Sequence, residues 1–240
     1  MTTPKLDLHT HTVVSGHAFS TLQEMAAAAA DKGLEWLGIT EHGPALPGSC
    51  HPIYFRNLHV VPREINGIKL ILGAELNILD YDGTLDLDDD YIRHMDIVIA
   101  GLHSLCYRAG TVAQNTSAIL GAMHNPKVNI ISHPVDGTGE VDIEALVDEA
   151  RDTSTLLEAN NSSLNPARHK TVAGPNTLRL LTLCRNKEVP VILGSDAHIS
   201  FSIADYTHLA PVIREADFPE ELIVNYHPEL FTSFTGVTLP

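Results

Sequence analysis

Two segments at opposite ends of the chain decide the fold: Lys5-Leu6-Asp7-Leu8-His9-Thr10-His11 and Leu193-Gly194-Ser195-Asp196-Ala197-His198. Each closes an apolar run of strand length with side chains that can bind metal. Alternate residues of a strand point to one face, so Asp7, His9 and His11 are expected on the same side. Two imidazoles placed in this way can share a metal ion, and Asp7 can orient one of them by a hydrogen bond. A His-x-His pair alone is weak evidence, because a half-exposed strand explains it equally well.

Further apolar runs lie between these two segments. The predicted strands are Lys5–Thr10, Trp36–Thr40, Lys69–Leu76, Asp96–Gly101, Val128–Ser132, Thr155–Ala159 and Val189–Leu193. Nearly continuous apolar character over strand length is typical of parallel strands that are buried on both faces. The sequence therefore predicts a parallel sheet.

Helix-like segments separate the predicted strands. Residues Thr21 to Glu24 form the pattern of a capping box, and Gly33 is placed to end the alanine-rich helix that follows. The other predicted helices are Thr111–Met123, Asp142–Arg151, Pro175–Lys187 and Ile203–Ala216. This alternation predicts an α/β protein, either a closed or nearly closed barrel or an open doubly wound sheet.

Polar side chains follow the C-terminal ends of the predicted strands. The candidate metal ligands are His9, His11, His17, His42, Glu75, His103, His133, Asp196 and His198, and Asn160 follows the sixth strand. Strand ends converge at one mouth in a barrel, whereas the first and last strands of an open sheet are usually too far apart to share a site. We therefore expect a distorted seven-stranded (β/α)7 TIM-like barrel with the metal site at the C-terminal face of its strands. A single domain is expected over residues 1–240.

The ligand set consists of seven imidazoles and two carboxylates, without a thiolate. It suits zinc, manganese or iron, and nine ligands are too many for one ion. A carboxylate such as Glu75 can bridge two ions about 3.5–4 Å apart, a spacing that supports hydrolysis of phosphate esters. The expected nucleophile is a hydroxide that bridges the ions and is held at Glu75 and Asp196. The sequence contains no convincing Ser-His-Asp arrangement or glycine-rich phosphate loop.

Charge and composition argue against other classes of protein. The formal net charge of −15 makes nucleic acid an unexpected partner, since nucleic-acid surfaces need clustered lysine and arginine. The apolar runs are far shorter than the roughly 18 residues of a membrane span. Cys50, Cys106 and Cys184 are scattered, and the N-terminus carries no secretory pattern, so we expect a cytoplasmic protein. The oligomeric state stays open, a homo-oligomer included.

Four residues outside the ligand set are candidates for contacts with a ligand or with substrate. Asp7 and Asn160 are placed to hydrogen bond a metal ligand, and Asn160 also to bind substrate. Arg63 and Arg168 are candidates for phosphate binding, because guanidinium pairs with phosphate through two hydrogen bonds. Solvated surface charge explains the two arginines equally well.

Several short motifs follow one another in a defined order: Asp7-x-His9-x-His11, His17, Thr40-Glu41-His42, Glu75, His103, Ser132-His133-Pro134 and Ser195-Asp196-Ala197-His198. In order and spacing they resemble the PHP (polymerase and histidinol phosphatase) family over essentially the whole chain. The surrounding residues, such as Asn160-Asn161-Ser162-Ser163, are most similar to the stand-alone YcdX-type phosphatases of that family. Glu41 stands where aspartate is frequent in the family.

The resemblance implies three divalent metal ions, usually zinc. It implies a first ion on His9, His11, Glu75 and Asp196. Glu75 would bridge to a second ion on His103 and His133. A third ion would lie on His17, His42 and His198.

We therefore expect a metal-dependent phosphatase or phosphoesterase that cleaves a small phosphorylated molecule. Two alternatives remain. The first is a 3′–5′ exonuclease, which stepwise trimming of labelled single-stranded DNA would reveal. The second is a metal-stabilised binding module without turnover, which heat denaturation with and without chelator would reveal if no phosphatase activity accompanied the stabilisation.

Overall fold

Strands and helices alternate along residues 3–239, the part of the chain that the computed structural model describes. The strands are β1 (Leu6–Asp7), β2 (Trp36–His42), β3 (Glu64–Ile65), β4 (Ile68–Asn77), β5 (Ile97–Gly101), β6 (Ile130–Ile131), β7 (Leu156–Asn160) and β8 (Val191–Gly194). The helices are α1 (Leu22–Asp31), α2 (Ile53–Arg56), α3 (Asp89–Ile92), α4 (Val112–Met123), α5 (Ile143–Thr153), α6 (Ala173–Asn186), α7 (Ala210–Glu215) and α8 (Pro228–Thr235). Short 3-10 turns complete the secondary structure.

Seven of the strands form a parallel sheet in the order β1, β2, β4, β5, β6, β7, β8, while β3 pairs antiparallel with β4. The first and last strands meet beyond their C-terminal ends. There the amide of His11 donates to the carbonyl of Ala197 at 2.9 Å, and the amide of Asp196 donates to the carbonyl of His9 at 3.1 Å. The sheet is thereby nearly closed into a barrel, which confirms the predicted fold class and excludes the open doubly wound sheet.

Nearer the N-terminal ends of the strands, Asn225 bridges the gap between β1 and β8. Its Oδ1 accepts from the amide of Leu193 at 2.7 Å, and its Nδ2 donates to the carbonyls of Leu193 at 2.8 Å and Leu6 at 3.1 Å. Its backbone carbonyl accepts from the amide of Lys5 at 2.7 Å. One fully buried asparagine therefore provides hydrogen bonds to the backbone of both strands, which do not pair with each other at this point.

The barrel interior beneath the mouth is apolar. Leu8, Ile71, Ile99 and Leu156 pack there against Phe231 of α8, and all five side chains are fully buried. Burial of one such side chain stabilises the fold by about 1.5–3 kcal/mol. A second, larger core fills the space between the sheet and the surrounding helices. The strands are apolar on both faces, as a parallel sheet covered by helices requires.

The predicted elements agree with the structure except in a few places. The predicted capping box forms at α1, and a second one, between Thr111 and Gln114, begins α4. The short elements β3, α2, α3 and α8 were not predicted. The helix predicted from Ile203 begins only at Ala210, because the amide of Ala204 is hydrogen bonded to Asp7 and Asp205 accepts from Thr207 in the loop before it.

Within residues 3–239, no helix combines the length and the apolar character that a bilayer-spanning segment needs.

Candidate metal centre

The nine predicted ligands surround one mouth at the C-terminal ends of the barrel strands, with Glu75 at its centre. Oε1 of Glu75 lies 3.0 Å from Nε2 of His133 and 3.3 Å from Nε2 of His103. Its Oε2 lies 2.9 Å from Nδ1 of His42 and 3.3 Å from Nε2 of His9. One fully buried carboxylate thus contacts imidazoles that reach it from four different strand ends.

The side chains of His9, His11, Glu75 and Asp196 form a compact group. Nε2 of His9 lies 3.1 Å from Nε2 of His11, 3.3 Å from Oε2 of Glu75 and 3.8 Å from Oδ1 of Asp196. Nε2 of His11 lies 3.5 Å from each of the same two carboxylate oxygens. Ligands bound tetrahedrally at about 2.0–2.2 Å are about 3.3–3.6 Å from one another. The spacing of these four side chains therefore fits a single ion.

A second group combines Glu75 with His103 and His133, and His42 lies beside it. His42, Glu75 and His103 each offer a ligand atom within 4.8 Å of the others. The same limit groups His42 with His11 and His198. His42 therefore lies between the second group and His198, whereas the resemblance assigns it to the third ion alone.

His17 and His198 form the outer part of the centre, with their Nε2 atoms 2.9 Å apart. Nδ1 of His17 lies 3.0 Å from the carbonyl oxygen of Ser15, and Nδ1 of His198 lies 3.0 Å from that of Asp196. A carbonyl only accepts, so each Nδ1 carries hydrogen and each neutral ring presents a lone pair on Nε2. Two lone pairs at this distance repel each other, and a shared cation removes the repulsion.

Several buried polar atoms at the centre form no hydrogen bond of normal geometry among the described residues, although some of them lie close to an oxygen of Glu75: Nδ1 of His42, both ring nitrogens of His103, Nδ1 of His133 and Oε2 of Glu75. An unpaired buried polar group costs about 1–3 kcal/mol, and almost all such groups in proteins are satisfied. Their concentration at one place is explained by metal coordination. The donor set, imidazole nitrogen and carboxylate oxygen, fits zinc and related divalent ions.

The electrostatics of the centre favour the form of each carboxylate that binds metal. Burial alone would raise the pKa of Glu75, but the facing His9, His103 and His42 hold it well below its ordinary value. Burial likewise opposes ionisation of Asp196, but the facing His9 holds the pKa of this carboxyl well below its ordinary value. Both carboxylates are therefore ionised at neutral pH.

The histidines divide into two classes. Burial lowers the pKa of His11 well below its ordinary value and that of His42 to about 4, so both rings are neutral. Burial also opposes protonation of His9, but Glu158 and Glu75 outweigh it and raise the pKa well above normal. The pKa of His133 is raised in the same way, chiefly by Glu75. In the absence of metal, protons on His9 and His133 partly compensate the buried carboxylates.

Glu158 of β7 orients two ligands and was not identified from the sequence. Its Oε1 accepts from Nδ1 of His9 at 2.6 Å, which leaves Nε2 of that ring directed at the centre. Its Oε2 accepts from the amide of His133 at 2.8 Å and from Nδ2 of Asn160 at 3.0 Å. Its position in the run Thr155–Ala159, as a lone acidic residue among apolar ones in a strand buried on both faces, was the signal that could have revealed it.

Glu41 supports His11 through Ser15. The hydroxyl of Ser15 donates to Oε2 of Glu41 at 2.6 Å, and it lies 3.2 Å from Nδ1 of His11. Glu41 also accepts from the hydroxyl of Thr12 at 2.5 Å. These bonds tie the loop that carries His17 to β2 and direct Nε2 of His11 toward the metal centre.

Asp7 differs from the expectation that it shares a face with His9 and His11. Leu6 and Leu8 on either side of it pack in the barrel interior, so Asp7 points away from it. Its carboxylate accepts from the amide of Ser195 at 3.4 Å and from the amide of Ala204 at 2.8 Å. β1 ends at Asp7, and the break in alternation after Leu8 lets His9 turn inward. Asp7 therefore holds the loop with Asp196, and burial raises its pKa to about 6.

The backbone is strained at two ligand positions. His133 and Asp196, which follow β6 and β8, have φ angles of +33° and +54°. Such conformations cost non-glycine residues about 1–3 kcal/mol and cluster at functional sites. They turn these two side chains into the mouth directly after the strands end.

A cavity of about 350 Å³ opens above the centre and is the natural place for a substrate. Arg168 lines it and donates to the hydroxyl of Ser162 at 3.0 Å. Asn160 lies beneath, where its Nδ2 is 3.5 Å from Oδ2 of Asp196. Arg63 lies elsewhere: its guanidinium pairs with Asp96, and it does not line this cavity. The position of Arg63 thus gives no support to a role in phosphate binding.

The fold and the centre define a β/α barrel protein with a cluster of histidines and carboxylates suited to metal. A model of the PHP domain matches residues 7–227, so the chain belongs to the PHP family, as the resemblance indicated.

Named relatives cover most of this chain and most of their own length. A probable phosphatase of Clostridium novyi is 44% identical over 220 residues, which are 92% of this chain and 89% of the relative. A probable phosphatase of Caldicellulosiruptor saccharolyticus is 43% identical over 230 residues, 96% of this chain and 95% of the relative.

One solved structure with a similar fold is the histidinol phosphate phosphatase of Lactococcus lactis, in complex with zinc, L-histidinol and phosphate. It has a TM-score of 0.61 and 19% sequence identity, and the match covers 90% of this chain and 95% of that one.

Proposed function

We propose that this protein is a metal-dependent phosphatase that hydrolyses the phosphate monoester of a small molecule. The observation that carries the proposal is the ring of nine metal-competent side chains beneath a cavity lined by Arg168. The named relatives, which are probable phosphatases, support the reaction class. The size of the cavity, about 350 Å³, suits a small phosphorylated molecule.

We assign three divalent ions to the centre, zinc first, with manganese and iron as alternatives that the same donors accept. The first lies between His9, His11, Glu75 and Asp196. Glu75 would also be a ligand of a second ion, together with His103 and His133. His17 and His198 hold a third, and His42 lies within reach of it.

Bound divalent ions supply Lewis acidity, which activates water for attack on phosphorus and neutralises the charge of the phosphate oxygens. The protein keeps the ligands in the required state. Glu158 holds the Nδ1 proton of His9, and Ser15 holds that of His11, so Nε2 is the nitrogen that each ring presents to the centre. Glu75 and Asp196 remain ionised at neutral pH, so no proton has to leave them before a cation binds.

Arg168 orients the phosphate in this proposal. Its guanidinium lines the cavity. The pKa of His17 is lowered chiefly by burial and by the neighbouring His198, and the charge of Arg168 contributes to the same shift. Within residues 3–239, no carboxylate lies within ion-pair distance of this guanidinium, so its charge is available to a ligand. Guanidinium can bind two phosphate oxygens at once, which positions phosphorus over the centre.

The proposal is tested by loading the purified protein with zinc or manganese and measuring hydrolysis of p-nitrophenyl phosphate and a panel of phosphorylated metabolites. We expect release of inorganic phosphate from at least one substrate, and loss of this release in His9→Ala while the circular dichroism spectrum stays native. Absence of hydrolysis across the panel, with metal content verified on the same sample, would refute the proposal.

A further inference from the structure

The mouth above the metal centre has two chemically different halves. Leu46 and Pro47, in the loop after β2, and Leu102 and Leu105, after β5, line one half, which also includes the hydroxyl side chain of Ser104. Thr138, Ser162, Arg168 and Lys170, in the loops after β6 and β7, line the other. The strands β2, β4 and β5 are neighbours in the sheet, and so are β6 and β7. Each half is therefore a continuous wall.

The apolar wall is held in place beside the metal ligands. The rings of His42 and His103 lie 5.0 Å apart in an edge-on arrangement, which brings the loops that follow them together. Asp86 accepts from the amides of Ala45 at 2.8 Å and Asn77 at 2.9 Å, so the loop before Leu46 is tied to the end of β4. These contacts set the position of the apolar wall relative to the metal ligands.

Leu105 projects from the turn after His103 with 72% of its surface exposed. The amides of Cys106 and Tyr107 both bond to the carbonyl of His103 at 2.8 Å, which tightens this turn. Leu46 and Leu102 are largely buried beneath it, whereas Pro47 is exposed. Leu105 and Pro47 thus present apolar surface at the mouth that another apolar group can cover.

Among residues 3–239, the polar wall carries one cation that has no carboxylate partner. Lys170 forms an ion pair with Asp136, whose carboxylate is buried. Arg168 donates to Ser162, and no carboxylate of residues 3–239 lies within ion-pair distance of it. The polar wall thus offers one positive charge to an anionic group of a ligand. The apolar wall faces the rest of that ligand.

We infer that the substrate is the monophosphate of an apolar or aromatic alcohol. Its phosphate lies toward Arg168, and its leaving alcohol packs against Leu105 and Pro47. A polyol in this place would leave hydroxyl groups unpaired against apolar side chains, at about 1–3 kcal/mol for each one buried. In the reaction, a water oxygen bonds to phosphorus, the bond from phosphorus to the alcohol oxygen breaks, and that oxygen takes up a proton. The inference rests on the proposed phosphatase function.

The test compares two alkyl phosphates whose leaving alcohols are similarly basic, benzyl phosphate and glycerol 3-phosphate, on the zinc-loaded protein. We expect kcat/KM for benzyl phosphate to exceed that for glycerol 3-phosphate by about tenfold or more, the discrimination that a hydrophobic contact supplies. Leu105→Ser should lower the ratio of the two kcat/KM values by about tenfold, and Leu105→Met, which keeps an apolar surface, should restore it.

Ile53→Ser is the matched control, because isoleucine has the volume of leucine and Ile53 is 64% exposed outside this cavity. It should leave the ratio within about twofold of the unmodified protein. A preference for glycerol 3-phosphate, or an equal ratio in Leu105→Ser and the unmodified protein, would overturn the inference and leave the phosphatase function standing. Absence of hydrolysis of benzyl phosphate, glycerol 3-phosphate and p-nitrophenyl phosphate would overturn both.

Discussion

Glu158 lies outside the ligand set and is hydrogen bonded to two of its members. Its carboxylate accepts from the ring of His9, the backbone of His133 and the amide of Asn160. All three partners are donors, and an ionised carboxylate is the side chain that only accepts. A ligand that is held in one orientation loses less freedom when metal binds, so such supporting residues raise affinity.

Replacing this carboxylate by an amide should weaken metal binding without unfolding the protein. In Glu158→Gln, one end of the side chain becomes a donor that faces another donor. We expect the affinity for zinc to fall by about 10–100-fold, the range for residues that support metal ligands. Titration with a competing chelator measures it, and Glu215→Gln, at an exposed glutamate, serves as the control. Equal affinity in the two variants would show that Glu158 has no such role.

The raised pKa of His9 predicts proton release when metal binds. Without metal, this ring is protonated at neutral pH, and its Nε2 must lose hydrogen to become a ligand. Zinc affinity should therefore rise as pH increases toward the pKa of His9 and level off above it, by up to about tenfold per pH unit for each proton released. Calorimetric titration at pH 7 in two buffers with different ionisation enthalpies counts the protons, and a count of zero would contradict the prediction.

At the scale of the elements, the close approach of β7 and β8 leaves space for Glu158. Gly194 lies beside the carboxylate, and a Cβ at this position would collide with its Oε1. The side chain of Glu158 is buried, and its carboxylate is hydrogen bonded to His9, His133 and Asn160, so displacing it would break these bonds. Glycine at the end of β8 is therefore a requirement of the metal centre more than of the strand.

Gly194→Ala should displace Glu158 and lower both metal content and stability. Overpacking of this kind costs about 1–3 kcal/mol. Gly174→Ala, in α6, is the matched control, since a Cβ there meets no atom and alanine favours the helix by about 0.5–1 kcal/mol. Urea unfolding and metal analysis of the two variants check the prediction. Equal metal content in both would show that the space beside Glu158 is not critical.

Closure of the barrel is a property of the whole molecule, and it depends on Asn225. The side chain of this residue is hydrogen bonded to the backbone of β1 and of β8 and to the hydroxyl of Tyr206 at 3.0 Å. At this height of the barrel, β1 and β8 do not hydrogen bond to each other, and the side chain of Asn225 pairs with their free backbone groups instead. The two strands that lead to His9 and to Asp196 are thereby held together from below.

Asn225→Ala should destabilise the fold by about 3 kcal/mol or more, because the amide of Leu193 and the carbonyl of Leu6 lose their partner in a buried place. Asn57→Ala, at an exposed asparagine, should stay within about 0.5 kcal/mol of the unmodified protein. Urea unfolding measures both. A difference below 1 kcal/mol would mean that closure does not depend on this side chain.

The sequence by itself determined the parallel barrel and the group of residues at its mouth. His42, Glu75, His103 and His133 each lie at or just after the end of an apolar run, and strand ends converge in a barrel whatever the loops between them do. This inference needs only local patterns, apolar runs and the polar residues that end them. It therefore does not depend on knowing any contact between distant residues.

Only the tertiary structure decided which residues hydrogen bond to the metal ligands and which candidate residues lie away from them. Glu158 contacts His9 from 149 positions away, and Asn225 bonds to Leu6 across 219. Asp7 and His9 lie on different faces because the strand alternation stops after β1, and Arg63 is paired with Asp96 away from the cavity. The physical reason is that hydrogen bonds and ion pairs depend on distances of a few ångströms between side chains, and packing of the whole chain sets those distances.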